Sequence, residues 1–524
     1  MMGKGISAFV ALAAGAAVLL AARSAAAQDI PGGDPVLRVI WEAGTAESRV
    51  EALAQVLLDS LGPRLPGTPE SEAALAWAER MYGSWDIDVR REPYGTWVGW
   101  RAGITHVDLL APRVRTLNAT MVAWSPGTST PLTAPVIALP AFSEEPDQKA
   151  LREAVRDRFV LLSAPEPACR PSESWEEWAM PETVESWRAA RATAKTEFAD
   201  RFAHAGMGLD QLASVLDEAG AAGILTSEWP DAWGGSRTHG SSLTRRAPHL
   251  ALSCEHYGLL WRLAERRQGP MVRVDARAEF LGEVPVANLI GTIRGSELPD
   301  EYVILSAHFD SWGGASGATD NGAGTVVMME AMRILREAYT RPRRTILVTH
   351  WNGEEQGLNG SRAFAADHPE IVEGLQLLLN LDLGTGRVTN ISMMGLTEAA
   401  PFFERWLARI PGQLAADIEL EDPGVPGRGS DYASFVCAGA PAFALGTRSW
   451  DFGTYTWHST LDTFDKLVVD DLQKNATLVS MLAYLASEDS ERLPRTRRVL
   501  PVDEQTGEPA RWPICTDGAR SSGR

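Results

Sequence analysis

The amino-acid sequence predicts an α/β fold in which a mostly parallel mixed sheet is flanked by helices and a smaller α+β domain is inserted. From about residue 286 onward, continuous apolar runs alternate with amphipathic segments, which is the pattern of a parallel sheet covered on both faces. From 116 to 285 the pattern differs, because short apolar segments are joined by loops rich in Pro, Ser and Gly. The length of 524 residues, with 45% hydrophobic residues, suits two or three domains with a large core.

Residues 1–27 have the pattern of a secretory signal peptide. Lys4 gives a positive start, an apolar stretch follows from about Ile6 to Ala22, and the small residues 25–27 form a cleavage site. The alternative is an uncleaved membrane anchor, although the stretch is close to the lower limit for a span. We therefore expect a secreted or periplasmic protein with no stable membrane insertion after cleavage.

Residues 28–115 are predicted to form the N-terminal part of the main domain. Two helices are expected between residues 46 and 84, because apolar residues recur there at a spacing of three to four on both sides of the turn PRLPGTP. The following segments IDVRREPY and ITHVDLLAP are predicted to be two strands.

Residues 116–285 are predicted to be the inserted domain. The segments APVIALP, RFVLLSA, AAGILTS and MVRVDAR are typical of short strands, and a helical segment ends near Glu218. Two of the four cysteines, Cys169 and Cys254, lie in this region, so either a bridge between them or two free buried thiols is compatible with the sequence. The absence of any CxxC spacing excludes a zinc ribbon or a thioredoxin-like site.

Residues 286–490 are predicted to complete the main domain, and residues 491–524 to form a C-terminal tail. The apolar runs EYVILSA, RTILVTHW, LQLLLNLDL and APAFALG are the expected strands, and GAGTVVMMEAMRILREA is the clearest amphipathic helix. The formal net charge of −19 argues against a nucleic-acid partner, which requires a basic surface.

Chemically reactive side chains follow successive strands of this region. His308 and Asp310 come directly after one strand, Asp320 lies in the next loop, and the pair Glu354 and Glu355 follows the second strand. Asp382 and His458 follow the two remaining strands. Ligands of open α/β sheets gather outside the carboxyl ends of the strands, so these side chains are expected to meet at one edge.

Two imidazoles and three carboxylates suit two zinc ions if one carboxylate bridges them. Adjacent residues do not share a face of a helix or strand, so Glu354 and Glu355 are expected to have different roles. One would bind metal while its neighbour transfers protons.

These motifs resemble the co-catalytic di-zinc exopeptidase family, which includes bacterial zinc aminopeptidases and plasma glutamate carboxypeptidase. The matching stretches are SAHFDSWGGASGATDNGAG, NGEEQGLNGS, NLDLG, GRGSDYASF and YTWHSTLDTFDK. The insert is similar to a protease-associated domain through AGAAGILTS and LALSCEHYGLLWRL. The resemblance implies a zinc exopeptidase fold that binds two zinc ions and takes peptides as substrates.

The resemblance also implies a role for each residue. His308, Asp320 and Asp382 would hold one zinc, and Asp320 would bridge to a second zinc held by Glu355 and His458. Asp310 would orient His308, and Glu354 would be the general base that activates a water between the ions. Four further residues are candidates for contacting the substrate or the oxyanion: Tyr455, Trp457, Arg428 and Tyr432.

The expected activity is that of a secreted exopeptidase, with an aminopeptidase as the first hypothesis. A carboxypeptidase or dipeptidase of the plasma glutamate carboxypeptidase type is the alternative, and a non-catalytic homologue is a further one. The sequence does not give the side-chain preference or the oligomeric state.

Overall fold

The computed structural model describes residues 30–142, 148–502, 507–508 and 510–523. The predicted signal peptide, residues 1–27, lies outside these ranges. Within them, no helix has the length and apolar character needed to cross a membrane.

The described ranges contain fourteen strands and fifteen α-helices. The strands are β1 (Asp88–Ala111), β2 (Arg115–Leu117), β3 (Ala119–Met121), β4 (Leu132–Ala138), β5 (Phe159–Leu161), β6 (Gly223–Thr226), β7 (His249–Leu252), β8 (Met271–Ile293), β9 (Leu298–His308), β10 (Arg344–Trp351), β11 (Leu375–Leu381), β12 (Val388–Ser392), β13 (Glu419–Glu421) and β14 (Ala442–Thr447). The helices are α1 (Pro35–Ala46), α2 (Val50–Gln55), α3 (Pro69–Ser84), α4 (Gln148–Val155), α5 (Ser172–Trp178), α6 (Pro181–Phe202), α7 (Leu209–Glu218), α8 (Cys254–Glu265), α9 (Ala323–Ala338), α10 (Asn359–Asp367), α11 (Pro369–Gly374), α12 (Ala400–Leu407), α13 (Gly412–Ala415), α14 (Ala433–Val436) and α15 (Val469–Glu488).

One continuous sheet runs through the molecule in the order β13-β12-β14-β11-β9-β10-β8-β4-β5-β6-β7-β3. Strands β14, β11, β9 and β10 are parallel neighbours, while β12 and β8 pair antiparallel on either side of them. The predicted α/β class with a mostly parallel mixed sheet is therefore confirmed.

Both faces of the parallel strands are buried, which is why their sequences are continuously apolar. Val303 and Leu305 of β9 belong to the core formed with α1, α9 and α15. Ile304, between them, belongs to the core on the opposite face, with residues of α10, α11 and α14. Alternate side chains of a strand point to opposite faces, so one strand supplies both cores.

A long antiparallel ribbon joins this part of the sheet to a second parallel group, β4-β5-β6-β7. Its strands β1 and β8 pair from Asp88 with Thr292 to Ala111 with Met271. The sequence predicted two separate strands here, whereas β1 is continuous. The register shifts at Pro93, Gly99, Ala102 and Leu109 show the reason: bulges absorb the irregular residues without ending the pairing.

Both cysteine pairs are bridged. Cys169 and Cys254, whose Cα atoms are 5.8 Å apart, form the bridge that the sequence left open. Cys437 and Cys515 form a second bridge, which the sequence analysis did not predict. The second bridge fixes the C-terminal segment against the main body, where the indole of Trp512 donates to the Val436 carbonyl at 2.9 Å.

Candidate metal centre

The five predicted metal ligands lie together at the carboxyl ends of the parallel strands. His308 is the last residue of β9, Glu355 follows β10 and Asp382 follows β11. Asp320 lies in the turn that leads into α9, and His458 in the loop after β14. The sheet therefore gathers side chains that are far apart in the sequence.

Asp320 faces both histidines, one with each carboxylate oxygen. Its Oδ1 lies 3.2 Å from Nε2 of His308, and its Oδ2 lies 3.2 Å from Nε2 of His458. Asp382 contacts the same nitrogen of His308 at 3.0 Å, and Glu355 contacts that of His458 at 2.9 Å. His308 with Asp382 forms one group and His458 with Glu355 forms another. The two groups share the carboxylate of Asp320. The Asp320–Asn321 peptide bond is cis.

The charges of this cluster are strongly coupled. Burial alone would lower the pKa of both histidines, but the neighbouring carboxylates outweigh it, so the pKa of His308 is raised well above its ordinary value and that of His458 to about 9. Burial and the charge of Asp320 raise the pKa of Glu355 to about 8. This enclosed anionic site favours a positive charge at its centre.

The residues fit a divalent metal ion. Donor atoms of His308, Asp320 and Glu355 lie within 4.8 Å of one another. Imidazole nitrogens and carboxylate oxygens are the ligands that zinc takes alongside thiolate. Among the described residues, Oε1 of Glu355 is buried without a hydrogen-bond partner, which leaves a lone pair for a cation.

Asp310 connects the two sides of the centre. It is fully buried, and its carboxylate accepts hydrogen bonds from the backbone N–H groups of Glu354 at 3.2 Å and Glu355 at 3.3 Å. Its carbonyl oxygen lies 3.0 Å from Nδ1 of His308, and its carboxylate 3.6 Å from the same nitrogen. These contacts favour a proton on Nδ1 and a free lone pair on Nε2 of His308.

Glu354 stands beside the predicted ligands. Burial raises the pKa of its carboxyl group well above the ordinary value, and the charges of Asp382, Asp431 and Glu355 raise it further, while His308 opposes them. A carboxyl group with a raised pKa holds a proton more readily, which suits a group that accepts and returns one.

Arg64 was not singled out by the sequence analysis. Its guanidinium is completely buried and donates to the carbonyl oxygens of Phe309 at 2.7 Å, Ser316 at 2.8 Å and Gly317 at 3.1 Å. Burial lowers its pKa to about 10. Arg64 thus fixes the loop between His308 and Asp320, and its position in the predicted turn PRLPGTP was its only sequence signal.

Asp462 and Asp431 are two further buried carboxylates that the sequence analysis did not select. Asp462 accepts from the N–H groups of Thr319 at 2.7 Å and Asp320 at 3.0 Å, and so holds the turn that carries the shared carboxylate. Both oxygens of Asp431 are buried without a hydrogen-bond partner among the described residues. Asp462 lies in the stretch HSTLDT and Asp431 in GSDY, but neither stretch indicates that its aspartate is buried.

The four predicted substrate-contacting residues lie in different surroundings. Tyr455 donates its hydroxyl to Glu173 of α5 at 3.1 Å, so this hydroxyl is directed at the insert. Trp457 stacks on the ring of His458 with centroids 4.0 Å apart. Burial raises the pKa of Tyr432, and so do the charges of Asp382 and Glu354, which places this tyrosine beside the cluster. Arg428 is exposed on the neighbouring loop.

Comparisons with known proteins agree with this architecture. A profile described as Peptidase family M28 matches residues 288–483, which contain all five predicted ligands. Carboxypeptidase Q of Pongo abelii is 25% identical over 460 residues, which cover 86% of this chain and 88% of that protein.

Two solved structures share the fold. A Peptidase M28 precursor from Shewanella amazonensis superposes with a TM-score of 0.64 at 22% identity, covering 88% of this chain and 97% of that one. A zinc aminopeptidase from Bacillus subtilis superposes with a TM-score of 0.55 at 17% identity, covering 86% of this chain and 97% of that one.

Proposed function

We propose that this metallo-exopeptidase, whose residues 288–483 match the Peptidase family M28 profile, removes terminal residues from peptides with the help of two zinc ions. One zinc would be held by His308, Asp320 and Asp382, and the other by Asp320, Glu355 and His458. The observation that carries this proposal is the position of Asp320, whose two oxygens each face a different histidine at 3.2 Å.

The chain's own residues supply positioning and proton transfer. Bound zinc would polarise the scissile carbonyl and lower the pKa of the attacking water. Glu354 accepts the proton of that water and passes it to the leaving amine, which fits the direction in which its pKa is shifted. Asp310 holds His308 and the Glu354–Glu355 loop in fixed positions during the reaction, through contacts of 3.0 to 3.3 Å.

An aminopeptidase is the activity that we favour. The cluster contains the carboxylates of Asp310, Asp320, Glu354, Glu355 and Asp382, and Asp431 lies nearby. Three ligand carboxylates nearly balance two divalent ions, so the remaining ones favour a positively charged substrate terminus. The zinc aminopeptidase of Bacillus subtilis has the same fold.

A carboxypeptidase or dipeptidase is the second candidate. Carboxypeptidase Q matches 86% of this chain, a much longer stretch than the family profile alone. Arg428, an exposed residue close to Tyr432 in the sequence, would then hold the free carboxylate of the substrate together with that tyrosine.

We also propose that the protein is exported and that residues 116–285 form a protease-associated insert. The pattern of residues 1–27 supports export, and so do the two disulfides, because such bridges persist in oxidising compartments. The parallel strands β4, β5, β6 and β7 support the insert, because they form one group of the continuous sheet on the other side of β8 from β10.

The general base is tested with Glu354→Gln. Glutamine keeps the shape of the side chain but cannot accept the proton, so we expect about two zinc ions per chain to remain while turnover falls by about 10²–10⁴-fold. Metal analysis and initial-rate measurements on the same preparation provide both values. Glu185→Gln, an exposed change on α6, is the matched control. Unchanged peptide hydrolysis in Glu354→Gln would remove the base assignment, and a fully active wild type with a single zinc would indicate a mononuclear enzyme.

The terminus that the enzyme recognises is tested with a substrate panel. Aminoacyl reporter substrates, N-blocked peptides and free dipeptides are incubated with the wild-type protein. An aminopeptidase cleaves the first group and leaves N-blocked peptides intact. Cleavage of N-blocked peptides from their free carboxyl end would establish the second candidate instead.

A further inference from the structure

A segment of the insert lies against the loop that carries His458. Residues 236–239 run antiparallel to residues 457–460, with a bridge between Arg237 and Ser459. The N–H of Thr238 donates to the carbonyl of His458 at 2.8 Å, and the N–H of Thr460 donates to the carbonyl of Ser236 at 2.9 Å. A ligand residue of the main domain is thus held by backbone bonds from another part of the chain.

The side chain of Arg237 strengthens this contact. It donates to the carbonyl oxygens of Trp457 at 2.7 Å and Gly453 at 3.0 Å, and only 13% of the side chain is exposed. Its guanidinium also lies over the indole ring of Trp457, 4.8 Å from the centroid. Trp457 in turn stacks on the ring of His458, so one residue separates Arg237 from the imidazole.

Thr238 extends the contact to a second loop of the centre. Its hydroxyl donates to the carbonyl of Gly313 at 2.6 Å, in the segment between His308 and Asp320. Thr238 also lines the small cavity beside Asp320, Glu355 and His458. The insert therefore touches loops on both sides of the shared carboxylate.

The His458 loop needs such support because its own backbone is irregular. Trp450, Asp451 and His458 all have positive φ angles, of 42°, 62° and 56°, although none is glycine. Residues in this region of backbone space persist only where the surroundings hold them. The short turn Phe452–Thr456 has no side-chain cap at its start, and the hydrogen bonds from Arg237 to Gly453 and Trp457 add to the backbone bonds that hold it.

We infer that Arg237 is a positioning residue for the metal ligand His458, and that the insert is thereby a working part of the metal centre. This inference rests on the proposed function, because it requires His458 to bind zinc. Without the Arg237 guanidinium, the Trp457 carbonyl loses a hydrogen bond and the Trp457 indole loses its contact with the cation. The imidazole of His458 then adopts orientations that do not favour metal binding. The zinc held by Glu355 and His458 is weakened, while the one held by His308 and Asp382 is retained.

Zinc retention is the measurement that tests this inference. Wild type, Arg237→Gln, Arg237→Lys and the control Arg188→Gln are loaded with zinc and titrated with a chromophoric chelator. Arg188 is an exposed arginine of the same insert, paired with Glu176 at 2.8 Å, so it matches the chemical change without touching the centre. Thermal unfolding of each variant monitors the fold.

In Arg237→Gln, one of two zinc ions should be held about 10–100-fold less tightly, which is the usual effect of losing a group that orients a ligand. Arg237→Lys retains the charge but not the two-pronged donor geometry, so its retention should be intermediate. Arg188→Gln should match wild type. The catalytic rate at saturating substrate should fall with the lost zinc and be restored by excess zinc, which a merely structural defect would not produce.

Equal retention of both ions in Arg237→Gln and wild type would overturn the inference and leave the proposed function intact. If the glutamine variant does not fold, the lysine variant decides in the same way, because retention equal to wild type is again a negative result. A wild-type protein that binds no zinc would contradict the proposed function itself, so the two failures are distinguishable.

Discussion

Single residues of this molecule differ sharply in how burial affects their charge. His350 lies inside β10, completely buried, and its Nε2 is 2.6 Å from the hydroxyl of Tyr82 on α3. Burial lowers the pKa of this imidazole to about 3. His308 is just as buried, yet its pKa is raised, because carboxylates surround it. The neighbours of a buried histidine therefore decide whether its imidazole is neutral or positively charged.

His350 should make the protein sensitive to acid. An unfolded histidine has a pKa of about 6.5, so between that pH and the folded-state value the unfolded chain binds more protons. Stability is therefore lost as pH falls from about 6.5 towards 3, by about 1.4 kcal/mol per pH unit from this residue. His350→Gln removes the titration and keeps a partner for Tyr82. Urea unfolding at pH 7 and pH 5 should show a smaller loss in the variant, and identical losses would contradict the assignment.

At this scale the sequence selected candidate ligands that the structure brings together, but it missed the residues that support them. His308, Glu355, Asp382 and His458 each follow a strand and Asp320 lies in the loop after one, and strand ends can be located from apolar runs. Arg64 and Asp462 act through buried hydrogen bonds with loops, and Asp431 is buried without a hydrogen-bond partner among the described residues. Loop conformation depends on tertiary packing, so no sequence pattern distinguishes an inward-facing aspartate from an exposed one.

At the scale of elements, the turn that carries Asp320 depends on the loop that carries His458. Asp462 accepts two backbone N–H groups and the hydroxyl of Thr319, the last at 2.8 Å. One carboxylate thereby joins the loop that carries Asp320 to the loop that carries His458.

Asp462→Asn should loosen this connection. An amide has a single acceptor oxygen, so at least one buried N–H group loses its partner, which costs about 1–3 kcal/mol of unfolding free energy. We expect zinc retention to fall by about tenfold or more. Chemical denaturation and chelator titration measure the two effects. Asp465→Asn, an exposed change in the same loop, should lower neither the unfolding free energy nor zinc retention. A fully zinc-loaded Asp462→Asn variant would refute the role of Asp462 in holding the turn.

The sequence predicted the strands of the parallel group better than the ribbon. β9, β10 and β11 are continuous apolar runs because both of their faces are covered. In β1 the two faces are covered unevenly along its length, so exposed and buried residues alternate irregularly. β1 is continuous because it pairs with β8, which is distant in the sequence. The residue pattern within β1 alone does not predict that pairing.

On the scale of the whole molecule, the C-terminal segment closes around the main domain. Besides the Cys437–Cys515 bridge, the N–H of Ala519 donates to Asn359 of α10 at 2.8 Å, and the carbonyl of Arg520 accepts from Thr96 of β1 at 2.9 Å. A segment that the sequence analysis expected to be a simple tail thus contacts one helix and one strand of the main body.

Removing the bridge with Cys437→Ser and Cys515→Ser together should lower the unfolding free energy by about 2–4 kcal/mol, since a crosslink across a long loop mainly restricts the unfolded chain. Residues after 490 should also become accessible to protease before the rest of the chain. Denaturation and timed proteolysis of the double variant are compared with wild type under non-reducing conditions. Equal stability and an intact C-terminus would show that packing alone fixes the segment.

The pairing of β1 with β8 limits the order in which the strands of the sheet can pair. Asp88 finds its partner Thr292 only after the ribosome has produced everything between them, including the whole second parallel group. Most of β1 therefore remains unpaired until β8 is present, and contacts between residues this far apart in the sequence form slowly. β8 pairs with β4 as well as with β10, so one strand completes both parallel groups of the sheet.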